Sequence, residues 1–121
     1  MKYLLITFGF TAFVKLAFAY TITTQIGDFP DATRPALDIY DNPLVTLQKN
    51  SVQTHQIPAG TWMGLSVKYK NPATNAEEFV HCDSSIGNIS KPVKRSLYLL
   101  IKYNSDDGSF TCKEMVGHLG G

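Results

Sequence analysis

Two cysteines are all that this 121-residue chain contains, which excludes both a multi-disulfide scaffold and a four-cysteine zinc site. A surplus of one charge sign is missing as well. Eleven Lys and Arg stand against ten Asp and Glu, whereas a dedicated nucleic-acid-binding domain is far more basic. No P-loop, GxGxxG, HExxH, GxSxG or EF-hand spacing occurs. Beyond the first twenty residues no apolar run is long enough to span a bilayer, and no eleven-residue window carries an apolar stripe at helical spacing. What is present is 44% hydrophobic and 17% charged residues. That is enough for one core in a chain too short for two domains.

The first residues read as a leader. Lys2 supplies the positive start, Leu4 to Val14 the apolar run, and Ala17-Phe18-Ala19 the small-x-small pattern that signal peptidase reads. A membrane anchor would need about twenty uninterrupted apolar residues, and Lys15 breaks the run first. A signal peptide over residues 1–19 is therefore expected, with Tyr20 as the mature N-terminus and no stable membrane association after cleavage. Its removal takes away Lys2 and Lys15 and no acids, leaving nine basic against ten acidic side chains.

Export gives the cysteines a meaning. In an oxidising compartment two lone thiols pair, so a Cys82–Cys112 bridge is expected. Closing a loop of about 30 residues removes roughly 3.5 kcal/mol of chain entropy from the unfolded state.

Period-two alternation dominates the rest. From Thr61 to Tyr69, Met63, Leu65, Val67 and Tyr69 alternate with Trp62, Gly64, Ser66 and Lys68. Glu77 to Asp83 places Phe79 and His81 on one face and Glu78, Val80 and Cys82 on the other. Leu97 to Tyr103 is apolar on both faces except for Lys102, the pattern of a strand covered on both sides. Asn104 to Gly108 is a turn, so residues 97–115 read as a hairpin. Ala36–Tyr40, Leu44–Lys49 and Val52–Ile57 are shorter strands, separated by Asp41-Asn42-Pro43 and Asn50-Ser51. The expected fold is all-β: a small antiparallel β-sandwich or bent sheet of about six strands with one disulfide. Residues 20–35, with Pro30 and Pro35, read as an extended N-terminal arm, residues 36–116 as a single β domain, and residues 117–121 as a loose tail.

The titratable residues offer little chemistry. His55, His81 and His118 are not spaced as metal ligands, so neither a metal nor a cofactor is expected. A metal-free ribonuclease needs a base, an acid and a cation, and His55, Glu77 or Glu78, Arg95 and His118 offer those types in chain order. His118 lies between Gly117 and the Gly-Gly end, where rigid positioning is hardest, so no catalytic residue is assigned. Lys91, Lys94, Arg95 and Lys102 form a basic stretch around Tyr98, with no acid between Asp83 and Asp106. This stretch is the expected binding surface, for an acidic protein partner or, as the alternative, for RNA. Asn88-Ile89-Ser90 is a glycosylation sequon in an expected loop over Asp83–Val93.

Leader, size, β pattern and single bridge together resemble the small secreted effectors of plant-pathogenic fungi. The segment from Leu97 to Tyr103 and on to Phe110-Thr111-Cys112-Lys113 is similar to the end of powdery-mildew ribonuclease-like effectors. The pattern of six strands and one bridge over residues 36–115 is similar to ToxB-like (MAX) effectors. The order His55, Glu78, Arg95, His118 resembles that of fungal guanyl-specific ribonucleases. The effector resemblance implies a secreted, extracellular, monomeric protein without catalysis that binds a host protein, with passage into host cells as a further step. A metal-free ribonuclease, a bacterial periplasmic binding module and a protease inhibitor are the alternatives.

Overall fold

The structure, a computed structural model, describes residues 19–40, 42–58, 62–84, 87–88, 90–92 and 96–115. The expected leader (apart from Ala19), Lys94, Arg95 and the tail with His118 lie outside the described residues. Of Asn88 and Lys91 only the backbone is described.

The chain folds into strands: β1 (Ala19–Ile26), β2 (Ala36–Ile39), β3 (Val45–Thr46), β4 (Ser51–Pro58), β5 (Trp62–Asn71) and β6 (Ala76–His81). They continue with β7 (Asp83–Ser84), β8 (Gly87–Asn88), β9 (Ser90–Pro92), β10 (Leu97–Asn104) and β11 (Ser109–Glu114). One 3-10 turn, Asp31–Thr33, is the only helical piece among the described residues. No helix among them is long and apolar enough to cross a membrane.

The strands form two sheets, one in the order β4-β1-β10-β11-β7-β8 and the other β3-β2-β5-β6, with β9 paired to the first residues of β5. Each sheet buries one face, and alternation decides which residues meet. Ile22, Ile26, Ile57, Leu97, Leu99, Ile101 and Phe110 come from the first sheet; Leu37, Ile39, Leu65, Val67 and Tyr69 come from the second. Phe110 joins them, its ring 4.9 Å from Tyr69 and 5.2 Å from Tyr103. The result is the sandwich that the alternation predicts.

Three particulars differ from the sequence expectation. Residues 20–35 are not an arm: β1 lies inside the six-stranded sheet, antiparallel to β4 on one side and parallel to β10 on the other. Its pattern is hidden because Thr24, fully buried, stands between Ile22 and Ile26 on the inward face. The domain thus starts with β1, not at residue 36. The parallel β1–β10 pair also makes the first sheet mixed. Finally, β10 is buried on one face only: Tyr98 and Leu100 are half-buried and Lys102 is exposed. The tyrosine and leucine lie over the sheet surface, which explains how a run apolar on both sides can still have an outer face.

The bridge forms as expected. Cys82 and Cys112 are both buried, with their Cα atoms 4.6 Å apart. The Cys82 N–H donates to the Leu65 carbonyl (2.8 Å), continuing the second sheet, while Cys112 belongs to β11 of the first. The bridge therefore ties sheet to sheet where the chain crosses between them.

At one end of the sandwich, buried Asn71 joins two hairpins. Its carboxamide accepts from the Ala73 N–H (2.8 Å) in the β5–β6 turn and donates to the Asp107 carbonyl (3.2 Å) in the β10–β11 turn. Gly108 follows at φ 76°, and a Cβ there would strike that carboxamide. Glycine is required both by the left-handed backbone and by the close approach.

Candidate functional site

The sequence-assigned surface centres on β10. Thr23, Tyr98 and Lys102 project from the outer face of the six-stranded sheet, where the Tyr98 hydroxyl donates to Gln25 Oε1 (2.6 Å). Hairpin register sets Lys102 opposite Thr111 and Leu100 opposite Lys113, so Lys113 joins Lys102 as a diagonal neighbour. Sequence reasoning missed Lys113 because it lies eleven residues away along the chain. The alternation Thr111-Cys112-Lys113, read with the hairpin, carried the signal. No outward position on β4, β1, β10 or β11 is a carboxylate. Asp83 of β7, in register with Lys113, marks the edge of this acid-free face.

The other sheet also presents its outer face. Asp38 of β2, Ser66 of β5 and His81 of β6 stand in one row, and Ala36, Lys68 and Phe79 in the next. Beyond the end of β2, the Tyr40 N–H donates to the Gly64 carbonyl (2.9 Å) and starts a third row. Lys68 Nζ lies 3.5 Å from Asp38 Oδ2, and the Phe79 and His81 rings meet edge to face at 5.2 Å. These residues line a groove of about 450 Å³. Asp38, Ser66 and His81 are the types of a hydrolytic triad, but the serine is in the middle. The acid cannot orient the imidazole, and no hydrogen bond joins the three.

The ribonuclease-like set is not assembled among the described residues. His55 lies on β4, at one edge of the six-stranded sheet, and Glu78 lies on β6 of the other sheet. β6 packs against β11, and β11 is three strand steps from β4, about 14 Å. Glu78 is engaged elsewhere, accepting from the Tyr69 hydroxyl (3.1 Å) and from Asn71 Nδ2 (3.1 Å). Burial, and then the Glu78 carboxylate, raise the Tyr69 pKa above its usual value. Arg95 and His118 lie outside the described residues. No group of three or more His, Cys, Asp or Glu could hold a metal ion among the described residues.

His55 has a different character. It pairs with Ile22 on the inward face, its Nε2 is buried with no hydrogen-bond partner among the described residues, and burial lowers its pKa. A folded pKa below the unfolded value means that the unfolded chain takes up the proton first. Stability should be full above about pH 6.5 and decline as pH falls from there to the lowered folded value. Asp31 and Asp107, both held below their usual carboxylate value, act further into acid. Urea midpoints between pH 7.5 and pH 5 should therefore fall in the native protein and stay level in His55→Gln. An equal decline in both would assign the slope to other groups.

No family model, no curated protein and no solved structure matches this chain.

Proposed function

We propose that this chain is a secreted effector that binds an acidic surface of a host protein and performs no catalysis. The observation that carries the reading is the outer face of the six-stranded sheet. There Tyr98, Lys102 and Lys113 share a surface without a carboxylate on its four long strands. A tyrosine held by Gln25, with two flexible cations along the same face, suits a protein interface, where aromatics supply contact area and charge steers the encounter. The leader pattern of Lys2, Leu4–Val14 and Ala17-Phe18-Ala19 supports export, and cleavage after Ala19 would leave all of β1 but its first residue. The Cys82–Cys112 bridge is compatible with an extracellular location.

Two experiments bear on this reading. The purified protein should capture a discrete partner from plant host extract, and Lys102→Glu with Lys113→Gln, which places no second carboxylate beside Asp83, should weaken that capture by about tenfold or more without lowering the thermal midpoint. Capture that is indifferent to both substitutions removes the surface from the proposal. RNA incubated with the protein should stay intact. Cleavage that disappears in His55→Ala would replace the binding reading with the ribonuclease.

A further inference from the structure

The groove on the second sheet carries an inference independent of the partner surface on the first. Four large hydrophobic side chains are exposed among the described residues, and two are aromatic: Tyr40 (59%) and Phe79 (58%). Both line this groove. Its floor is Gly64 and Ser66, and the missing side chain at Gly64 leaves the recess open. The backbone at Gly64 is not left-handed, and a Cβ there would come only to ordinary contact with Tyr40, at 3.6 Å. Glycine is therefore not imposed by the strand; what it provides is space.

The polar lining has an equally definite character. Asp38 and Lys68 cancel each other's charge, and in the next row Lys70 stands opposite Glu77. The face is electrically balanced and offers nothing to select an anion or a cation. Neither Ser66 in the floor nor His81 beside it has a side-chain hydrogen bond to another described residue. Carboxylate, hydroxyl, imidazole and ammonium thus offer acceptors and donors side by side across three strands, about 10 Å wide. A ligand matched to this lining is uncharged, dense in hydroxyl groups and provided with flat C–H faces. Those faces, slightly positive, rest on the negative faces of aromatic rings.

We propose that the groove bounded by Tyr40, Ser66, Phe79 and His81 binds a neutral oligosaccharide, with Asp38 and Lys68 contacting its hydroxyls. A nucleic acid is disfavoured by the balanced charge, and an added peptide strand would pair with a sheet edge, not lie across a recessed face. Because the lining comes from paired strands and the residue just after β2, the site is pre-organised, so little ordering opposes binding.

The test is calorimetric titration of the disulfide-bonded protein with cellohexaose, mannohexaose and hexa-N-acetylglucosamine, with polygalacturonic acid and heparin as charged controls. At least one neutral oligomer should bind. Phe79→Ala and Tyr40→Ala should each weaken it by about tenfold or more. Gly64→Thr, which suits a strand but fills the floor, should do the same while leaving the thermal midpoint at or above the native value. Thr54→Ala, on the opposite sheet, should bind as the native protein does. Three neutral oligomers that all fail to bind, binding only to the charged polymers, or binding that survives Gly64→Thr and Phe79→Ala would each overturn the proposal. None of these outcomes touches the partner surface at Tyr98 and Lys102, so the two readings fail separately.

Discussion

Replacing Cys82 and Cys112 together with alanine should lower the free energy of unfolding by about 3.5 kcal/mol, the loop-closure entropy for the 30-residue separation. For a domain of this size that corresponds to a drop of roughly 14–28 °C in thermal midpoint. Loss of packing adds to the entropic figure. Both sulfurs are buried, so the alanines also leave unfilled volume between β11 and the crossover from β6 to β7. The bridge also joins one sheet to the other, whereas a bridge within one hairpin would repeat a constraint that hydrogen bonds already impose. Thermal unfolding of the native and doubly substituted proteins measures the effect directly. A shift of only a few degrees would show that the sheets hold together without it. Two thiols open to alkylation in the native, unreduced protein would remove the bridge from the account.

Deleting residues 20–26 should abolish folding, an outcome opposite to that expected for an arm. Ile22 and Ile26 are each buried to within 2% of their surface, and each contributes about 1.5–3 kcal/mol. Their loss is the smaller part. Without β1, β4 has no neighbour among the described strands and β10 loses one side of its ladder. The sum reaches the whole stability of a small domain, about 5–15 kcal/mol. Thr23→Pro separates backbone from core: Thr23 points outward, so the substitution leaves the buried side chains in place while removing a ladder donor from a central strand. It should destabilise by on the order of 4 kcal/mol, the upper end for single substitutions. Retention of a cooperative transition by the deleted chain, seen in circular dichroism against urea, would return the segment to the status of an arm.

The contrast between β1 and β5 shows what alternation can and cannot reveal. In β5 the inward residues Leu65, Val67 and Tyr69 are all apolar, so period two is plain. In β1 the inward set is Ile22, Thr24 and Ile26, and a buried threonine with an unpartnered Oγ1 erases the pattern. Parallel pairing across most of the chain has no local signature at all. The sites divide in the same way. Tyr98 and Lys102 stand close together in sequence, so their place on one strand face is legible. Lys113 needed the hairpin register. The groove needed more, since Tyr40, Gly64, Ser66 and Phe79 are ordinary residues that become neighbours only when two separate strand pairings are known.

The place of β1 also sets a timetable. The Thr21 N–H donates to Ser96 Oγ, 75 residues further on, and the strand is complete only when β10 lies beside it. A chain leaving its ribosome from the N-terminus therefore delivers this interior strand first and one of its two sheet partners nearly last. Contacts of such range form slowly, and no early segment can close the six-stranded sheet by itself. The pairs β1–β4, β2–β5 and β5–β6 are available once residue 81 has emerged, whereas the six-stranded sheet and the meeting of Cys82 with Cys112 wait for β10 and β11.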